Sequence, residues 1–259
     1  MYGFRTKQIQ HDSWPPYTND GECLGFSPIP HPNFYDFMGK LALGLYANRP
    51  ILIGGKENLP SVEEKTVITP THAGFGDIVA TSKAYESLGR LNFLSAEKEV
   101  MAKPGIGFLF NKLGVIPIKK GFLDAQTYKQ ASQRLYYETD SKLVIYPEGI
   151  LREGNTIGKV GLGAAILATM NGAVVSPYGI SGPEYRPKMV GFTNIFGYIG
   201  EKIIVPKIDM SQYTNTERFS FSSEDKQTIR QTTEQIRESL QTALDKSREI
   251  EAEFFGLLR

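Results

Sequence analysis

From residue 65 to residue 180 short apolar runs alternate with longer stretches at helical spacing, and this alternation limits the fold more than any other feature. K-T-V-I-T (65–69), N-F-L-S (92–95), V-I-P-I (115–118), K-L-V-I-Y (142–146) and A-V-V-S-P-Y-G-I (173–180) read as strands. Helices are expected between them, over about 77–88, 104–113, 124–138 and 159–170. I-L-I (51–53) and K-I-I-V-P (202–206) add a strand on either side. Such alternation builds an α/β fold: a single layered domain with a largely parallel sheet flanked by helices.

The flanks have a different texture. Residues 1–33 are rich in Pro, Gly, His and aromatics, and W-P-P-Y and P-I-P-H-P read as an irregular N-terminal arm laid on the body. Phe34, Phe37, Met38, Leu41 and Leu45 then fall at helical spacing. They predict an amphipathic helix over 34–48 that Pro50 stops, and it opens a domain running over 34–259. A final helix is expected over 222–259, capped by Ser222 or Ser223, with Ile229, Ile236, Leu240 and Leu244 as its buried stripe.

Composition narrows the function classes. Apolar residues make up 41% and charged residues 22% of the 259, as in an ordinary globular protein with a sizeable core. The net charge of +1 gives no argument for a nucleic-acid partner. The lone cysteine, Cys23, has no internal partner, which favours a reducing, cytoplasmic setting. The opening M-Y-G-F-R-T-K-Q holds no apolar signal core, and no stretch reaches the roughly 18 to 20 apolar residues of a membrane span. Any membrane contact is therefore expected to be peripheral.

Chemistry gathers where strands end. In T-P-T-H-A-G-F-G-D-I-V, His72 follows a strand and Asp77 falls in the first turn of the next helix. Loops beyond the carboxyl ends of strands are where open α/β sheets place ligands. A carboxylate bonded to one ring nitrogen leaves the other free to take a proton, so the pair fits a general base and its orienter. A turn histidine beside a dipole-favouring aspartate uses the same letters, and from the pair alone that plainer reading leads. Y-P-E-G-I-L-R sends Glu148, Gly149 and Arg152 beyond another strand, and G-V-I-P-I-K-K-G ends a third in Lys119 and Lys120. Lys159 opens the stretch after that. Alone these read as a Pro-Gly turn with a surface ion pair and as solvated lysines. Together, with ten Lys/Arg against six Asp/Glu between residues 98 and 160, they suggest an anionic substrate such as a phosphate.

The order of the blocks is more specific than any one of them. His-x-x-x-x-Asp, then G-V-I-P-I-K-K, then Y-P-E-G with a nearby Arg, then K-x-G and P-Y-G-I-S-G resembles the glycerolipid acyltransferase family. The likeness is to 1-acylglycerol-3-phosphate acyltransferases of the bacterial PlsC type. G-K-E-N-L-P (55–60) resembles that family's approach to its first motif, and the resemblance spans roughly residues 34–210. It implies an O-acyltransferase with His72 as catalytic base and Asp77 as its partner. It implies that Lys120, beside Lys119, stands where an arginine meets the acceptor's phosphate, and that Glu148 and Gly149 help hold the acceptor. Pro177 matches the proline of the fourth block. The chain departs from the family at Thr71, where Asn is usual, and at Gly74, where Ser is frequent. It departs again at Ile150 and Leu151, where Thr-Arg is usual, with the arginine one place later at Arg152.

The same resemblance implies transfer of a fatty acyl group from acyl-CoA or acyl carrier protein, as donor substrate, to a lysophospholipid hydroxyl, with no cofactor and no metal. Thioesters are already activated, and there is no G-x-S-x-G elbow, so direct attack within a ternary complex is expected. The expected partners are a lipid acceptor, an acyl thioester or its carrier protein, and the cytoplasmic face of a membrane. The helix over 34–48 is the leading docking element and G-I-G-F-L-F (105–110) the second, although a Phe/Leu stripe at helical spacing more often packs into a core. An acceptor without a phosphate and an inactive lipid-binding protein are the alternatives.

Overall fold

Thr66–Pro70 is buried at every position, the pattern of a strand covered on both faces, and it is the centre of the sheet. The computed structural model describes residues 51–72, 76–97, 115–118, 125–137, 141–150, 156–182, 194–210 and 220–257. Among these, seven strands form one sheet: β1 (Ile51–Gly54), β2 (Thr66–Pro70), β3 (Arg90–Glu97), β4 (Ile116–Ile118), β5 (Ser141–Ile145), β6 (Val174–Ser181) and β7 (Ile195–Ile199). Four α-helices accompany them: α1 (Gly76–Ala84), α2 (Ala125–Tyr137), α3 (Gly163–Asn171) and α4 (Ser223–Leu257). The spatial order is β1-β7-β6-β2-β5-β3-β4. Every pairing is parallel except β6 with β7. The expected α/β architecture is the observed one.

Alternating side chains divide the interior in two. Val67, Leu143, Ile145 and Val175 point to the face covered by α2, α3 and α4. Ile68, Val144, Tyr178 and Ile180 point to the other, against Ala80 and Ala84 of α1. On α4 the expected stripe is buried, with Ile236, Leu240 and Leu244 at 0% exposure. Ser222 caps this helix: its hydroxyl accepts the Asp225 N–H at 3.1 Å and donates to the Asp225 carboxylate at 2.8 Å. The helix lies so close to β6 that a Cβ on Gly179 would sit 2.2 Å from the Ala243 carbonyl carbon, so only glycine fits there.

Three expectations change. The helix expected to reach residue 88 stops at Ala84, and a separate 3-10 turn covers Glu86–Leu88. The helix expected from residue 159 begins at Gly163; ahead of it the Gly158 and Gly161 N–H groups bond to Glu148 and Pro147. K-I-I-V-P forms no strand; only Ile203 bridges, to Val175, and Ile204 stays 78% exposed. The seventh strand is instead Ile195–Ile199, whose Ile195, Phe196 and Ile199 are buried. The arm over 1–33, the helix over 34–48 and the helix over 104–113 lie outside the described residues.

β2 and β5 are neighbours, yet their chains leave the sheet in opposite directions. After β2 the chain enters α1 on one face; after β5 it runs to α3 on the other. Diverging connections open a crevice at the carboxyl ends of the two strands.

Candidate active site

That crevice holds His72. Pro70 is the last residue of β2, and the ladder with β6 continues through Thr71. Its N–H donates to the Tyr178 carbonyl at 2.9 Å, and its hydroxyl accepts the Ile180 N–H at 2.9 Å. The same hydroxyl lies 3.4 Å from the Ile180 carbonyl oxygen, to which it donates. Thr71 is fully buried, and it fixes the position of the next residue.

His72 is held by three further contacts. Its Nδ1 lies 3.0 Å from Oδ2 of Asp77, in the first turn of α1. Its ring leans on the Tyr146 ring, with centroids 4.3 Å apart and planes tilted by 32°. Its backbone N–H donates to Oε1 of Glu148 at 3.3 Å. The His72 side chain is 27% exposed while Asp77 is fully buried. A carboxylate accepts, so Nδ1 carries the proton and Nε2 is left as the acceptor. Such a ring can take a proton from a hydroxyl placed beside it. Burial holds the neighbouring Tyr178 hydroxyl well above its ordinary range, with Tyr85 and the Asp77 carboxylate adding to the shift. Tyr178 therefore adds no charge beside Asp77.

The wall opposite α1 comes from β5. Tyr146, Pro147, Glu148 and Gly149 form a tight turn closed by the Gly149 N–H on the Tyr146 carbonyl at 3.1 Å. Proline in second place and glycine at φ 66° suit that turn. Both oxygens of Glu148 are engaged: Oε2 accepts the Gly158 N–H at 3.2 Å. Lys159 comes next, exposed, on the segment leading to α3. Gly149 and Ile150 are exposed at the same edge.

The structure thus brings together His72, Asp77, Glu148 and Gly149, and places Lys159 one residue beyond a partner of Glu148. Lys119, Lys120 and Arg152 lie outside the described residues. Sequence reasoning missed Thr71 and Tyr146 as neighbours that fix the imidazole. For Thr71 the signal was its place at a strand end directly before the candidate base. For the Tyr146 ring there was none. Among the described residues no group of His, Cys, Asp and Glu could hold a metal ion, and no helix is long and apolar enough to cross a membrane.

Comparison with known proteins bears on what the crevice serves. A chloroplastic 1-acyl-sn-glycerol-3-phosphate acyltransferase of Arabidopsis thaliana is 27% identical over 178 residues, covering 67% of this chain and 48% of the relative. A chloroplastic counterpart from Brassica napus is 26% identical over 153 residues, covering 58% and 43%. The chain therefore spans about half the length of the curated relatives it matches. The crystal structure of the 1-acyl-sn-glycerophosphate acyltransferase of Thermotoga maritima shares the fold, with a TM-score of 0.53 at 17% identity over 84% of this chain and 80% of that one. The acyltransferase family model matches residues 50–181, which takes in β1 through β6 and the whole His72 crevice. With its fold, its His-x-x-x-x-Asp geometry and that match in agreement, the chain belongs to the acyltransferase family.

Proposed function

We propose that this protein moves a fatty acyl group from acyl-CoA or acyl carrier protein to the hydroxyl of a lysophospholipid, most simply 1-acylglycerol-3-phosphate. The observation that carries the proposal is the 3.0 Å bond from His72 Nδ1 to a fully buried Asp77, made by a ring still 27% exposed at the crevice. His72 Nε2 takes the acceptor hydroxyl's proton as its oxygen attacks the thioester carbonyl, and the thiol leaves. A positioned base of this kind contributes about 10²- to 10⁴-fold. Bringing two large substrates edge to edge contributes at least a comparable share. Asp77 holds the tautomer, and Lys119, Lys120, Arg152 and Lys159 are the cations available to an anionic head group. Both substrates carry acyl chains, so the protein works at a membrane surface. The lone cysteine favours its cytoplasmic face.

A second reading keeps the base and changes the acceptor. It is supported by Ile150, which is 68% exposed where the family's pattern carries a threonine before its arginine. A glycolipid or neutral-lipid hydroxyl would suit that apolar edge. The experiment is thiol release from acyl-CoA with a panel of lipid acceptors, followed by identification of the acylated product. Phosphate-dependent transfer supports the first reading, transfer to uncharged lipids the second. Turnover unchanged in His72→Gln removes the base assignment from both.

A further inference from the structure

We propose that Glu148 is a positioning residue for His72, a carboxylate strap across the crevice, and does not itself hold the acceptor. The inference rests on the acyl-transfer reading and concerns how that reaction's base is kept in place. Oε1 accepts the His72 N–H at 3.3 Å and Oε2 accepts the Gly158 N–H at 3.2 Å. One side chain thereby joins the loop after β2 to the segment before α3, which lead to helices on opposite faces of the sheet.

Three observations converge on this role. The first is engagement: each carboxylate oxygen is aimed at a backbone donor. The second is charge. A free carboxylate would repel a phosphate, whereas one bonded to two N–H groups has its charge partly offset by their dipoles. The third is the platform. Glu148 sits inside the turn closed by the Gly149 N–H on Tyr146, and Tyr146 supplies the ring against which the imidazole rests at 4.3 Å. A single four-residue turn therefore grips His72 twice, once by the ring and once by the main chain. Losing one grip lets the ring shift relative to an acceptor it must meet at hydrogen-bond distance. A misplacement of about 1 Å can cost about 10²-fold in rate.

The test uses the full chain and two variants, Glu148→Ala and Glu148→Gln. In Glu148→Ala, kcat for acyl transfer is expected to fall about 10²-fold while KM for donor and acceptor stay within about threefold. Glu148→Gln keeps one accepting oxygen and is expected to recover part of that loss. A tenfold or larger rise in acceptor KM with kcat unchanged makes Glu148 an acceptor ligand and overturns the proposal, while leaving the acyl-transfer reading intact. Amide hydrogen exchange read by NMR supplies an independent measure that needs no turnover. Glu148→Ala is expected to speed exchange at His72 and Gly158 and to leave β2 and β5 as they were. Unchanged exchange at both amides ends the strap. If the wild type acylates no lipid while the exchange effect is present, the strap holds and the substrate reading alone falls.

Discussion

The two ends of β5 use one device with opposite sign. Before the strand's middle, Lys142 is fully buried and donates to the carbonyls of Val62 and Glu64, at 2.5 and 2.8 Å. Just beyond the strand's carboxyl end, Glu148 accepts from two N–H groups. Each is a charge bonded to main chain, and each ties a loop to the sheet. The surroundings differ. Lys142 closes its end off from water, and Glu148 sits beside a part-exposed imidazole with Gly149 and Ile150 open to solvent. At one end the device ties a loop to the sheet through a buried side chain; at the other, on the reading proposed above, it steadies an imidazole that must stay accessible.

That contrast is sharpest when each end is broken separately. His72→Gln retains an amide that can bond to Asp77 but cannot take up the hydroxyl proton; acyl transfer is expected to fall about 10³-fold, with stability within about 1 kcal/mol of wild type. Thiol release and urea unfolding measure the two. Lys142→Met keeps most of the aliphatic stem and strands two carbonyls, so unfolding is expected to become easier by about 2 kcal/mol, with kcat of the folded protein nearly unchanged. A large kcat loss in Lys142→Met would abolish the division between the ends. Thr71→Val, at the site end, removes the hydroxyl that serves Ile180; a stability loss of about 1 kcal/mol is expected together with a lower kcat, which thermal melts and initial rates would separate.

The smallest effect is electrostatic and belongs to the sealed end. A hydrogen bond from Lys202 holds the Glu64 carboxyl below its ordinary range, helped by the Ser61 N–H and opposed by partial burial. A depressed folded-state pKa means the unfolded chain binds protons first as pH falls. The stabilisation is thus fully present above the usual carboxylate range and is lost as pH drops through the lowered folded value. The advantage of wild type over Glu64→Gln in urea unfolding should be modest at neutral pH, because the pair is part-exposed, and should vanish in acid.

How far the sequence discloses these features depends on what kind of force decides each element. The central strands β2, β5 and β6 and the helix α4 announce themselves, because burial on both faces or along one stripe leaves a periodic trace. The strand β7 does not. I-F-G-Y-I carries a glycine, and K-I-I-V-P nearby looks more like a strand. Packing overrides that preference: β7 buries Ile195, Phe196 and Ile199, whereas Ile204 remains exposed. The late start of α3 is equally invisible: the Gly158 and Gly161 N–H groups ahead of it bond across to the β5 turn, and such partners leave no mark in the sequence. The His72–Asp77 pair was legible because five residues separate the two and the helix brings them together. The partners of Glu148 were not, because a backbone N–H is the same at every residue.

The parting of β2 and β5 toward opposite layers has an evolutionary consequence. The wall carrying His72 and Asp77 rests on one hydrophobic compartment, and the chain beyond Gly149 leads into another. Substitutions beyond Gly149 can therefore alter what the crevice edge presents without touching the side chains packed beneath His72 and Asp77. The chain departs from the family's pattern at Ile150 and Leu151, on that outer stretch, and keeps it at His72 and Asp77.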